Sequence, residues 1–208
     1  MKKLKAAVVS NGIEGLKNYF ISSEVIHYSF LEISNDFDPD LESYQLLIVP
    51  NGSDNIAMSK IKDKVVNFLN DGKALFCFDG WFTNWVPNNQ WIMSNDLKSI
   101  DQRYTVNSDR NNLLENVDIQ DLIYSHKMSG WWSCGYINAG EQAEVILQDT
   151  WKRPIVVLDE KSTKGTLFLT ASAPLGDIGI TNTNYNLNNS LAQLYQNIVF
   201  LIIKKLES

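Results

Sequence analysis

Short apolar runs separated by polar, glycine-bearing breaks fill the first part of the chain. Lys5–Ser10 (KAAVVS) closes at Asn11-Gly12, the pattern of a buried parallel strand. Glu14–Ser22 sets Leu16, Tyr19 and Phe20 on one face and predicts a short helix. Glu24–Leu31 predicts a second strand, and Asp36–Ser43 an acidic connection containing Pro39. Tyr44–Val49 (YQLLIV) predicts a third strand, stopped by Pro50-Asn51-Gly52. Ser59–Asn70 carries Ile61, Val65, Val66, Phe68 and Leu69 as a helical stripe, and Asp71-Gly72 ends it with glycine in the C-cap role. Lys73–Phe78 (KALFCF) predicts a fourth strand, ended by Asp79-Gly80.

The pattern then changes. Trp81–Asn95 and Leu97–Asn138 show little periodicity and read as an irregular Trp- and Asn-rich insertion at about 81–138. Strands are expected at Ala143–Gln148, Pro154–Leu158 and Gly165–Thr170; their close spacing suggests hairpins that extend the sheet antiparallel. Leu187–Leu206 predicts a closing helix. Its IVFLII stretch is nearly apolar all round, which expects burial between the sheet and a neighbouring helix or subunit. With no internal repeat and no linker, residues 1–208 read as one α/β domain, a doubly wound and mostly parallel sheet with an antiparallel extension.

Composition narrows the partners. At 44% apolar and 11% aromatic residues, the chain has the material for a core, which excludes a disordered segment. Eighteen Lys and Arg against 24 Asp and Glu give a net charge of −6, which argues against nucleic acid or an anionic membrane as partner. The apolar run after the basic opening MKKLK is too short for a secretory signal, so a cytoplasmic location is expected. Cys77 and Cys134 form no C-x-x-C pair, and His27 and His126 have no H-x-H or H-x₃-H partner, so neither metal nor cofactor is expected. Both cysteines are expected to be inert buried thiols. Asparagine occurs 22 times, crowded between Asn84 and Asn116 and between Asn182 and Asn189. That is loop composition in the plain reading and a polar ligand rim in the other.

In doubly wound sheets ligands collect at the carboxyl ends of the strands. Three strands here finish on Asn-Gly or Asp-Gly, so ligand contacts are expected at Asn11, Gly12, Asn51, Gly52, Gly80 and Trp81. Backbone N–H groups in such turns can hold an anion or a carbonyl oxygen, with Trp81 as a cover.

Val49-Pro50-Asn51-Gly52-Ser53, followed by Gly72-Lys73 and the strand ending at Asp79-Gly80, resembles the class I glutamine amidotransferase-like superfamily, which includes ThuA-like and PfpI-like proteins. The resemblance implies a flavodoxin-like fold. It implies an oxyanion-hole loop at Pro50–Gly52 and a nucleophile elbow after the strand at Lys73–Phe78. Gly165–Thr170 resembles the late strand that precedes the family's catalytic histidine, and His126–Gly130 is similar to an H-P-[IV]-[ST]-x-G stretch of ThuA-like proteins. The departures matter. Asp79 stands where the nucleophilic cysteine belongs, Cys77 falls two residues early, and no His-Pro-Glu follows Thr170. A thiolate paired with imidazole is what amide cleavage requires in this family, so no glutaminase activity is expected.

The remaining candidate catalytic groups are Asp79, Glu14 and His126, which Asp118, Asp121 or Asp177 would join. Each also has a structural reading: a turn cap for Asp79 and a helix-dipole partner for Glu14. The six tryptophans either anchor core and interface or stack on planar ligands. These observations lead to a small-ligand-binding or scaffold and interaction module. The other course is a ThuA-like enzyme of carbohydrate or related metabolism with carboxylate and histidine acid–base groups. A small polar or carbohydrate ligand is expected. So is assembly as a homodimer or as a subunit of a larger complex, from IVFLII and the Trp131-Trp132 pair.

Overall fold

The computed structural model describes residues 3–12, 15–78, 80–94, 97–98, 101–123, 133–171 and 190–207, apart from the side chain of Leu191. Five parallel strands form its centre: β1 (Leu4–Ser10), β2 (Ile26–Glu32), β3 (Leu46–Val49), β4 (Ala74–Phe78) and β10 (Thr166–Thr170). β8 (Glu144–Asp149), β9 (Pro154–Asp159) and β6 (Tyr104–Val106) continue the sheet antiparallel. The eight-stranded order is β2-β1-β3-β4-β10-β9-β8-β6. The flavodoxin-like expectation holds, with the parallel order 2-1-3-4 completed by β10. Registers run straight across: Ala6, Leu46, Ala74 and Thr166 lie in one row. β1, β3, β4 and β10 are buried almost throughout, as strands covered on both faces must be.

Helices cover the two faces. α4 (Ser190–Glu207) sets Tyr195 against Phe76, with ring centroids 6.3 Å apart, and Phe76 packs edge-on to Phe168. α2 (Asn55–Lys60) brings Met58 to the opposite face, beside Val49 and Cys77. α3 (Lys62–Asn70) buries Val65, Phe68 and Leu69.

The structure corrects several expectations. The first helix spans only α1 (Leu16–Tyr19), because the hydroxyls of Ser22 and Ser23 draw the following chain into the β2 edge by accepting the N–H groups of Tyr28 and Ile26. The second helical stripe begins earlier, at Asn55, because Asp54 caps it: its Oδ1 accepts the N–H groups of Ile56 and Ala57 at 2.7 and 3.0 Å. The insertion is less irregular than its sequence. It supplies β5 (Gln90–Met93), β6 and β7 (Gly135–Asn138), of which β5 and β7 pair as a separate ribbon against β9. The Gly165–Thr170 strand forms the expected hairpin with β9, and its other edge pairs with β4 in parallel, so it lies inside the sheet and does not end it.

The apolar IVFLII stretch of α4 is not buried all round. Ile198, Val199, Ile202 and Ile203 are buried, while Phe200 is 56% exposed. Asn197 clasps the 107–123 segment over the helix, donating to the carbonyls of Leu113 and Glu115 at 2.9 Å. Cys134 is exposed, contrary to the expected burial. Its neighbour Ser133 takes the inward position, with its hydroxyl in reach of the carbonyls of Gly135 and Ala171, to one of which it donates. Among the described residues, no helix is long and apolar enough to cross a membrane.

Candidate functional site

Parallel pairing brings the ends of β1, β3 and β4 to one edge, and the turns that follow them meet there. Gly12, Gly52 and Gly80 all adopt left-handed backbone, with φ of 83°, 82° and 66°, which the sequence anticipated by ending each strand on glycine. Asn11 Nδ2 donates to the carbonyl of Gly52 at 2.5 Å, tying the first turn to the second. Asn55 Nδ2 donates to the carbonyl of Gly80 at 3.1 Å, and the Thr83 hydroxyl donates to the carbonyl of Asn55 at 3.1 Å. These two bonds tie the third turn to the start of α2. Asn51 Oδ1 lies 3.9 Å from where a Cβ at Gly80 would stand. Asn11, Gly12, Asn51, Gly52 and Gly80 are thus gathered at one edge.

Trp81 turns the other way. It is 2% exposed and packs inward, so it is a wall of the site and not a cover over it. With Trp85, Met58, Cys77, Val49 and Asn55 it encloses a crevice of about 10 Å³, room for no more than one water molecule. Cys77 is 1% exposed and sits within β4. Among the described residues, the crevice walls carry no ionisable group besides this thiol. They do carry unmatched polarity: the indole N–H groups of Trp81 and Trp85 and the Asn55 side-chain carbonyl are buried without a partner among the described residues. Two donors and one acceptor suit the tip of a small polar group.

Sequence reasoning did not single out Asn55 for this site. The signal was present in Asp54-Asn55 directly after the Asn-Gly turn, since a helix cap there carries the next residue toward the strand ends. The proposed catalytic residues Asp79, Glu14 and His126 lie outside the described residues, as do Asp177, Trp131 and Trp132. Asp118 and Asp121 are described and serve α4: the Ser190 hydroxyl accepts the Asp118 N–H and donates to Asp121 Oδ2 at 3.0 Å. His27 is exposed on β2, with Nδ1 3.3 Å from the Ser22 hydroxyl. Among the described residues, no three His, Cys, Asp or Glu side chains gather as a metal site would require.

No protein-family model matches the sequence, and no curated protein matches it. Solved structures do match in shape. A cytoplasmic protein from Salmonella typhimurium is similar over 95% of this chain and 98% of its own, with a TM-score of 0.59 at 10% identity. A glutamine amidotransferase from Thermotoga maritima is similar over 100% of this chain and 85% of its own, with a TM-score of 0.55 at 7% identity. A β-galactosidase from Bacillus circulans is similar over 94% of this chain with a TM-score of 0.51 at 14% identity, but the chain spans only 31% of that protein. At such identities the likeness concerns the fold alone. The α/β fold is one this chain shares with that glutamine amidotransferase, carried here with a Trp-walled crevice at its strand ends.

Proposed function

We propose that this chain is an amidotransferase-like module without glutaminase activity that works by binding, holding a small polar ligand or a partner at the edge formed by Asn11, Asn51 and Gly52. The observation that carries this reading is the narrow, Trp-walled crevice. A glutaminase must admit an amino acid beside an accessible thiolate. Here Trp81 and Trp85 help narrow the crevice beside β4 to about the size of one water molecule, and the one thiol among the described residues of the edge is buried within the sheet. What the edge recognises therefore rests on its rim, against exposed amide side chains and glycine backbone.

The test is ammonia release from glutamine by the purified protein. The expected result is no release above the protein-free rate. Release that disappears in Cys77→Ala would overturn the proposal.

A further inference from the structure

At the edge opposite the strand-end crevice, three loops converge on one buried carboxylate. β9 runs antiparallel to β10, so its last residue, Asp159, pairs with Leu167 at the start of β10. Asp159 is fully buried. Its Oδ1 accepts the N–H groups of Lys161 and Ser162, both at 2.9 Å. Its Oδ2 accepts Asn89 Nδ2 at 2.7 Å and the Ser162 hydroxyl. Burial alone would push the carboxyl upward; these donors outweigh it and hold Asp159 below the usual range. Asn89, itself 4% exposed, extends the network, since its Oδ1 accepts the Gly140 N–H at 3.1 Å. Gly140 is there because nothing larger fits easily: a Cβ would lie 3.3 Å from both the Asn88 carbonyl and the Ser162 hydroxyl.

The loops so fastened line an open cleft of about 580 Å³. Three amide side chains face it, from Asn88, Asn138 and Gln142. Asn88 is held at a φ of 53°, left-handed backbone that asparagine tolerates. Glu141 and Lys161 add one charge of each sign, which cancel, and Ala139 is the only apolar side chain in the lining.

We infer that this cleft binds a small neutral polyhydroxylated molecule, of the sugar or polyol class, through the amides of Asn88, Asn138 and Gln142. Each amide offers a donor and an acceptor, which matches a hydroxyl that is also both. A lining without net charge gives no advantage to phosphates or cations, and one almost without apolar surface gives none to hydrophobic ligands. The buried Asp159 knot fixes the loops beforehand, so binding costs little ordering of the chain. This inference is independent of the strand-end reading above.

The full chain, labelled with ¹⁵N, is titrated separately with galactose, glucose and sorbitol, and with inorganic phosphate as the charged comparison. The expected result is saturable shifts in the amides of residues 88, 138–142 and 161–162 with at least one neutral probe, at a Kd on the order of 1 mM. Asn88→Gly, which keeps the backbone, and Gln142→Ala each alter an exposed side chain. Each is expected to weaken binding about tenfold, the loss of one good hydrogen bond, with the rest of the spectrum unchanged. No saturable shift with any neutral probe, shifts with phosphate alone, shifts elsewhere, or full affinity in both variants would overturn the inference.

Discussion

Two thiols in one chain meet opposite fates, and each fate follows from a neighbour. Cys77 alternates into the covered face of β4, beside Met58 and Trp85. Cys134 is exposed because Ser133 and Gly135 on either side are buried and the ribbon alternates through it. Alkylation by iodoacetamide under native conditions, read by mass spectrometry, is therefore expected to label Cys134 fully while leaving Cys77 unlabelled until denaturant is added. Rapid native labelling of Cys77 would mean that the crevice opens, and with it the case against a nucleophile. The sequence could not separate these cysteines, since what distinguishes them is a ribbon pairing 42 residues away in the chain (Met93 with Gly135). The glycine turns of the strand-end edge were legible for the converse reason. Asn-Gly after an apolar run is a local instruction about backbone sign and needs no knowledge of the partner. Trp81 carried no such instruction: whether a tryptophan caps a site or lines it depends on the volume left by Met58 and Trp85.

Between elements, the join of α4 to the edge strand β2 is made by two phenols. The hydroxyls of Tyr28 and Tyr195 hydrogen-bond to one another in the core, with Phe20 and Phe76 around them. Burial pushes Tyr28 up to about 12, although its bond to Tyr195 opposes the rise. Burial and the adjacent Tyr28 push Tyr195 well above its ordinary value. A raised native pKa means that the unfolded chain loses its proton first, near pH 10. The stability that this pair contributes is then fully present below about pH 10 and is lost as pH rises toward 12. Thermal melts followed by circular dichroism are expected to show the melting temperature falling steeply across that window. Tyr28→Phe is expected to lose about 1 kcal/mol at neutral pH, the worth of one hydrogen bond. The double variant Tyr28→Phe/Tyr195→Phe is expected to flatten the alkaline fall. An unchanged alkaline slope in the double variant would locate the sensitivity elsewhere. The helix and the strand were each readable from their own periodicity; their contact, 167 residues apart, was not.

At the scale of the molecule, the last strand among the described residues lies inside the sheet. β10 stands between β4, its parallel neighbour, and β9, its antiparallel one, so it alone joins the parallel and antiparallel parts of the sheet. This explains why the fold class was legible and this placement was not. Apolar runs ending in turns specify buried strands, but the short spacing from β9 argues for a hairpin and is silent on the second edge of β10, which reaches back to residues 74–78. Phe168 is the side chain that most directly spans the join. It is fully buried, it faces Phe76 with ring centroids 5.8 Å apart at 68°, and it pairs in register with Leu158 on the other side. Removing it opens a cavity against both parts at once. Phe168→Ala is expected to cost about 3–5 kcal/mol. It is also expected to keep a single unfolding transition in urea, because β10 pairs with both parts and both lose their inner edge partner when it leaves. Tryptophan fluorescence follows local packing at the crevice, the ribbon and the β8–β9 turn through Trp81, Trp85, Trp91 and Trp151, and far-ultraviolet circular dichroism follows the sheet as a whole. Coincident midpoints from the two probes, both shifted to lower urea, are the expected outcome. Separated midpoints would show that the parallel part folds without β10, and that the antiparallel extension is an attachment and not a completion of the core.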